Sequence, residues 1–442
     1  MTPRLRASAS GLDKDTCPAP ESNPGPVDPK AAHLTTRPTR QSSLYVLGHL
    51  NSALLHANFT LMLYVPDLKT AYKRFYVDIG SVVGESDKIW TISLNDESPK
   101  TPLVLLHGMG AGLAMWCPNL DALAATRPVY AIDLLGFGRS SRPKFATDAS
   151  KVETQWVESV EEWRREVNLG QFILLGHSLG GYIATAYAMK YPERVRHLIL
   201  ADPWGFPEKP ANVYEKYQLP LWVRALATAV QPLNPLWAVR AAGPAGKWLV
   251  SKTRPDISRK YTGYVQDAER IIPEYIYQCN SQTPSGEGAF HTLMTGFGWA
   301  KNPMVTRLDQ LAKALPVTVL YGSRSWVDNC TGQVLMEHRP GSKTYVINGA
   351  GHHVYLDKPE LFNKYVLEAC ERADEFDPLP AIETFTFILQ RFDLIGFYYV
   401  ITIVSCGLNR CTYLPLTEIQ KSLPILLLIC VVHTYVIFSD AK

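Results

Sequence analysis

The stretch Gln171 to Tyr187, QFILLGHSLGGYIATAY, constrains the chain more than any other. Phe172 to Leu175 is a continuous apolar run of strand length. Gly176-His177-Ser178-Leu179-Gly180 then fits G-x-S-x-G. That pattern marks a strand–turn–helix elbow, which lifts a serine hydroxyl clear of a parallel sheet. The turn is so sharp that residues two away from the serine must lack a Cβ that would strike the strand or the helix. Gly180, Gly181, Ala184 and Ala186 keep the following helix slim enough to lie close to the sheet. Without its flanks the pentapeptide would be an ordinary Gly/Ser turn. The apolar strand before it and the helix after it make it an elbow.

The rest of the chain supplies a sheet for that elbow. Strands are expected at Phe75–Val77, Ile89–Ile92, Leu103–Leu106, Pro128–Ile132, Phe172–Leu175, His197–Ala201, Val317–Tyr321 and Thr344–Ile347. A helix is expected over Val152 to Val167, with apolar residues at Val152, Trp156, Val160, Trp163 and Val167. Strands alternating with helices predict an α/β fold: a mostly parallel, eight-stranded sheet with helices on both faces. Ligands of such sheets bind beyond the carboxyl ends of the strands. The Gly-rich turn His107-Gly108-Met109-Gly110-Ala111-Gly112 and the run Asp133 to Ser140 both lie at such ends. The alternation stops over about 204–303, after the sixth strand, where Trp204, Trp222, Trp237, Trp248, Tyr261, Tyr264, Tyr275, Tyr277 and Trp299 collect. That insertion reads as a helical cap, and most of its aromatics as the cap's own core. An apolar underside would suit a lipid-like substrate, since each buried CH₂ contributes roughly 0.8 kcal/mol.

A serine hydroxyl needs a base within hydrogen-bond reach, and the base needs an orienting acid. In this topology the chain order is Ser, then Asp or Glu, then His. The base is expected to be His352, which follows Gly349-Ala350-Gly351 after the last strand, in preference to its neighbour His353. The acid is expected in the loop after Val317–Tyr321, where Asp328 is the first carboxylate. Ser325, three residues after Gly322, cannot orient an imidazolium by charge. The rival is Asp202, at the end of the preceding strand, whose plain role beside Pro203 is turn initiation. The oxyanion donors are expected to be the amides of Leu179 and Met109. His352 to Asp357 also fits H-x₄-D, a pattern associated with glycerolipid acyltransferases. The plainer reading makes Asp357 an N-cap with Glu360 three residues on. The G-x-G of Asp133 to Ser140 lacks a third glycine and reads as pocket rim rather than a nucleotide site.

Composition removes several alternatives. A net charge of +3 with no dense Lys/Arg run argues against nucleic acid. The eight cysteines are scattered without a C-x-x-C pair, so no metal, no cofactor and no disulfide framework are expected, and a reducing compartment is the default. Asn58 and Asn329 head glycosylation sequons, a short and common match. Residues 1–42 are Pro/Ser/Thr-rich and expected to be disordered, with no secretory signal after Met1. Residues 43–74 hold the charge-free apolar run Ser43 to Pro66, expected either to contact a membrane or to lie on the domain.

Several long runs carry a resemblance. They are Lys88-Ile89-Trp90-Thr91, Asp133 to Pro143 (DLLGFGRSSRP), Asp202 to Pro207 (DPWGFP), Glu274-Tyr275-Ile276-Tyr277, Phe297-Gly298-Trp299-Ala300 and His352 to Asp357. Over about Thr70 to Asp374 the chain resembles the α/β-hydrolase-domain-containing subfamily. That subfamily joins N-acyl-phosphatidylethanolamine lysophospholipase (member four) and the adipose triglyceride lipase coactivator (member five). The resemblance implies an α/β-hydrolase fold over 75–374 and a serine hydrolase acting on acyl esters of (lyso)phospholipids or N-acyl phospholipids. It also implies a membrane or lipid-droplet surface as the site of action, on the cytosolic face of lipid droplets or the endoplasmic reticulum, with the mitochondrion as another compartment. Its alternatives are a coactivator that binds a triglyceride lipase and lipid-droplet coat proteins, and a lysophosphatidic acid acyltransferase. The coactivator branch carries Asn at the elbow, so Ser178 sides with the catalytic branch; Arg324 and Gly351 resemble the coactivator. The Trp-rich N-terminal anchor expected of the subfamily is missing. The tail 375–442 has no counterpart there. Its run Leu423 to Phe438 reads as a membrane anchor, as sequence from an unspliced intron, or as an extra helix.

Overall fold

Two runs with no exposed residue, Leu103–Leu106 and Phe172–His177, lie side by side as parallel strands at the centre of the main sheet. A strand buried on both faces reads as continuous apolar sequence rather than as alternation. The computed structural model describes residues 68–211, 236–296, 298–328, 332, 335, 339 and 341–375, and the backbone of 385–390, 400–407 and 410–413. The expected disordered segment 1–42, the apolar run 43–66, both sequons, Trp222 and the run 423–438 lie outside these residues, whereas the end of the expected N-terminal segment 43–74 enters β1 at Tyr72.

The main sheet is built from β1 (Tyr72–Gly80), β2 (Asp87–Leu94), β3 (Leu103–Leu106), β4 (Val129–Ile132), β5 (Phe172–His177) and β6 (Val195–Ala201), joined after the insertion by β9 (Val317–Gly322) and β10 (Lys343–Ile347). The insertion holds the short hairpin β7 (Met294–Thr295) and β8 (Trp299–Ala300). The order across the main sheet is β1-β2-β4-β3-β5-β6-β9-β10. The β1/β2 and β2/β4 pairs are antiparallel, and all others are parallel. This is the expected fold class, with strand ends shifted by up to three residues. β1 departs most, because it is an edge strand whose exposed alternate residues break the apolar run. The chain leaves β3 towards β4 on one side and returns to β5 on the other. That reversal is a topological switch point, where open α/β sheets form their ligand crevice.

Helices cover both faces. α1 (Cys117–Ala124) lies on one, and α2 (Ala149–Glu166) and α3 (Leu179–Lys190) on the other. α2 starts where Asp148 accepts a hydrogen bond from the Lys151 amide at 2.9 Å, satisfying one free N–H of the first turn. Its buried stripe runs through Val152, Trp156, Val160 and Trp163, at the 3.6-residue period. Burying Val152 and Val160 contributes roughly 1.5–3 kcal/mol apiece. The insertion between β6 and β9 carries α4 (Trp237–Ala241), α5 (Gly246–Thr253), α6 (Pro255–Lys260), α7 (Ala268–Asn280) and α8 (Ser285–Leu293). Trp204, Tyr261 and Tyr275 are buried, whereas Trp237 and Trp248 face outward. After β10 come α9 (Val354–Asp357) and α10 (Pro359–Glu375), the latter packed on the face that holds α1.

Residues 376–442 form a separate unit. Its described part is an antiparallel sheet of β11 (Phe385–Gln390), β12 (Val400–Gly407) and β13 (Arg410–Tyr413). Among the described residues no helix is long and apolar enough to cross a membrane.

Candidate active site

Ser178 sits between β5 and α3 at φ +52°, in the left-handed region that L-residues rarely occupy. The flanking glycines make this turn sterically feasible. A Cβ on Gly176 would lie 2.2 Å from the Gly180 carbonyl oxygen, and one on Gly180 would lie 2.4 Å from that of Leu106. The serine amide donates to the Ala201 carbonyl at 3.1 Å, and its own carbonyl accepts from Trp204 at 3.1 Å. The elbow is thereby tied to the end of β6 on one side and to the start of the insertion on the other.

His352 lies beyond β10 and brings its Nε2 to 3.0 Å from Ser178 Oγ. Its Nδ1 lies 2.6 Å from a carboxylate oxygen of Asp202. The acid on this histidine is therefore Asp202, and the expectation of Asp328 is corrected. The physical reason lies in the two loops. Asp202 directly ends β6, the neighbour of β5, and it is fully buried at φ +45°. One carboxylate oxygen accepts from the Gly322 amide at 3.1 Å, and the other accepts from the Ser325 hydroxyl as well as from His352. Ser325 thus stands where a carboxylate after β9 would reach the histidine, and it donates to the acid on the adjacent strand instead. The Val327 amide then donates to Ser325 Oγ at 3.1 Å and turns the chain onward. Asp328 comes out half-buried, within electrostatic reach of the Tyr321 phenol.

His177 is the first variable residue of the elbow motif, and the G-x-S-x-G pattern carries no signal of its role. It is buried against Trp116, His352, His353 and Tyr355. Its Nε2–H donates to the His352 carbonyl at 2.9 Å and pins the loop that carries the histidine facing Ser178. Burial, then the neighbouring His352, drives its pKa well below the ordinary value, so it is a neutral donor. Trp326 stands exposed with its ring 5.0 Å from that of His352 and walls one side of the site.

The two expected oxyanion donors come from different elements. Leu179 is the first residue of α3, where amides and helix dipole favour negative charge. Met109 lies in a tight turn closed by the Ala111 amide on the Gly108 carbonyl at 3.3 Å, with Gly110 at φ +71° as in a type II turn. Gly108 packs on the elbow: a Cβ there would lie 2.8 Å from His177 Nδ1 and 3.0 Å from Ser178 Cβ. His107 accepts from the Leu134 amide through Nε2 at 3.0 Å, so its Nδ1–H donates to the Gly108 carbonyl at 2.8 Å. Buried Asp133 holds the other end of the loop, accepting from the Leu113 amide at 2.7 Å and from the Arg139 amide at 2.8 Å. The rim role read for Asp133 to Ser140 is thus joined to support of the turn that carries Met109.

Asp357 is the acid of H-x₄-D. It accepts from the Gly351 amide at 2.7 Å and pairs with Lys260 of α6. The expected N-cap role is replaced by bracing of the histidine loop, and Asp357 itself closes α9. Arg324 is exposed, and its amide donates to the Ala350 carbonyl at 2.8 Å. Among the described residues no cluster of metal-ligating side chains occurs.

A family model described as alpha/beta hydrolase fold matches residues 101–359. The chain is 52% identical over 295 residues to 1-acylglycerol-3-phosphate O-acyltransferase ABHD5 of Sus scrofa, covering 66% of this chain and 84% of that one. It is 48% identical over 291 residues to the (lyso)-N-acylphosphatidylethanolamine lipase of Homo sapiens, covering 65% and 84%. The crystal structure of naproxen esterase from Bacillus subtilis is similar in fold, with a TM-score of 0.50 at 17% identity over 73% of this chain and 99% of that one. The family match and the alignments at about half identity make the chain a member of the α/β-hydrolase fold family, in the branch that holds the first two relatives.

Proposed function

We propose that the chain is a serine carboxylic-ester hydrolase of acyl-bearing phospholipids. The single observation that carries this reading is the hydrogen-bonded row Ser178 Oγ, His352, Asp202, at 3.0 and 2.6 Å. In this reading Ser178 Oγ attacks the ester carbonyl carbon while its proton passes to His352 Nε2. Asp202 accepts from Nδ1–H and stabilises the imidazolium. The amides of Leu179 and Met109 stabilise the developing oxyanion, each worth about 2.7–4 kcal/mol of barrier. The C–O bond of the leaving alcohol breaks as His352 returns the proton to it, leaving an acyl-enzyme. Water, deprotonated by His352, then releases the fatty acid and restores Ser178.

The substrate class rests on the relatives' names. One is named a (lyso)-N-acylphosphatidylethanolamine lipase, so lysophospholipids and N-acyl phospholipids at a membrane or lipid-droplet surface are the proposed substrates. A second reading, acyl transfer, is favoured by the relative named an acyltransferase. It needs no separate motif, because a lysolipid hydroxyl that enters in place of water would take the acyl group from Ser178.

The test is Ser178→Ala in purified protein on lysophospholipid vesicles. Hydrolysis should fall at least about a thousandfold, and hydrolysis that survives sinks the esterase reading. Stimulation of a triglyceride lipase, measured with the same variant, separates a coactivator role. Stimulation kept while hydrolysis is lost would make the two roles coexist.

A further inference from the structure

The inserted cap reaches the turn that carries Met109 through a buried side chain. Asn280, the last residue of α7, is almost wholly buried, and its side-chain amide donates to the Gly110 carbonyl at 2.7 Å. Gly110 is the left-handed corner of the turn whose preceding residue is Met109. The same amide nitrogen donates to the Ile276 carbonyl at 2.8 Å, so the side chain is fixed to its own helix while it holds the turn.

The end of α7 is itself held by two arginines. Arg142, from the run after β4, donates to the Cys279 carbonyl at 2.9 Å and to the Thr283 carbonyl at 2.9 Å. Its other bonds go to Gly136 at 3.2 Å and Gly138 at 2.9 Å, on the rim of the site. Arg240 donates to the Asn280 carbonyl at 3.2 Å and pairs with buried Glu287. Orphan carbonyls at a helix C-terminus favour such cations. One turn back along α7, the Tyr275 hydroxyl accepts from the Ala114 amide at 3.3 Å, just beyond the oxyanion turn.

From this geometry we infer that Asn280 is a positioning residue for the oxyanion turn. The domain supports the near side of the turn through His107 and Asp133, and the cap supports the far side through Asn280. The turn cannot rotate the Met109 amide away from Ser178 without stretching the bond from Asn280 to Gly110. Removing that bond lets the donor drift, and an error of an ångström near reacting atoms costs up to about a hundredfold in rate. The inference rests on the esterase reading only in that Met109 is taken as a donor to the oxyanion.

Asn280→Asp tests it, because the side chain keeps its volume and loses the N–H. On a soluble short-chain ester, kcat should fall by about tenfold to a hundredfold, with KM within twofold. The affinity of a trifluoromethyl ketone, which forms an oxyanion on Ser178, should fall by a similar factor. Asn280→Ala, run in parallel, should show the same loss if the carboxylate proves intolerable in its site. Amide hydrogen exchange over residues 107–115, measured without substrate, should quicken in both variants while the melting temperature stays put. A variant that turns over within twofold of the parent overturns the inference, as does exchange over 107–115 that is unchanged. If the parent protein itself hydrolyses nothing, the esterase reading fails, and the exchange measurement still decides the role of Asn280.

Discussion

Asp202 and Asp328 differ by context rather than by chemistry, and the difference is testable at a single atom. Asp202→Asn keeps shape but replaces an oxygen with a donor on one side of the carboxyl group. The asparagine would then favour the wrong tautomer of His352 or turn away from it. Turnover should fall roughly 10⁴-fold, read on any ester the parent cleaves. Asp328→Asn should leave turnover within a fewfold. The reverse pattern would return the acid role to the loop after β9. Sequence made Asp328 attractive because it is a carboxylate in the segment where chain order places the acid. It could not show that Ser325 would turn its hydroxyl onto Asp202. Nor could it show that Asp202, adjacent to a proline, adopts φ +45° and aims inward. The pair Ser178 and His352 was legible, because a glycine-bounded elbow and a histidine after the last strand are local patterns. The acid was not, because two strand ends compete for one histidine nitrogen and only packing decides between them.

At the scale of elements, the apolar runs at the sheet centre were legible almost to the residue, since a fully buried strand writes its length in the sequence. The edge strand β1 and the cap were read less well, because their residues are partly exposed and their partners are distant in sequence. Asn280 belongs to this class: nothing in α7 signals that its last side chain reaches a turn 170 residues earlier. The elbow itself supplies a stability prediction. Gly180→Ala would place a Cβ 2.4 Å from the Leu106 carbonyl oxygen and 2.7 Å from that of His107. Both atoms are backbone at the end of β3, and neither can swing aside. Overpacking at such a site costs about 3 kcal/mol, and the urea midpoint should drop accordingly; an unchanged midpoint would mean that β3 and α3 separate more easily than their packing implies. The H-x₄-D pattern has a matching test. Asp357 braces the Gly351 amide and Lys260, so Asp357→Asn should lower hydrolysis and acyl transfer together. A change in the ratio of the two products, measured with a lysolipid acceptor present, would give the motif a chemical role of its own.

Across the whole molecule, the sheet buries more titratable groups than its chemistry uses, and they set how it responds to acid. His197 on β6 is fully buried, bonded through Nε2 to the Thr318 hydroxyl at 2.8 Å, and Arg372 donates to that same hydroxyl at 3.1 Å. Burial first, and then the Arg372 charge, push its pKa down from 6.5 to about 3. His177 and His107 are shifted in the same direction, chiefly by burial. The sign follows from linkage. Above pH 6.5 all three are neutral in folded and unfolded chains, and they leave stability independent of pH. Below it the unfolded chain takes up protons that the folded chain refuses, so stability falls as pH falls, until the folded-state pKa is passed. Each such histidine adds a slope of up to about 1.4 kcal/mol per pH unit. Urea unfolding of the parent should therefore weaken steeply from pH 6 to pH 4. His197→Gln, which keeps a polar partner for Thr318 and cannot titrate, should flatten that slope by about 1.4 kcal/mol per unit. An identical slope in the variant would mean that His197 is protonated in the fold and that water reaches the interface of β6 and β9. The site end of the sheet shares this effect, because His177 pins the His352 loop through Nε2 and, like His197, has no partner among the described groups for a proton at Nδ1. Loss of turnover in acid should accordingly precede global unfolding, with the loop that carries His352 released first.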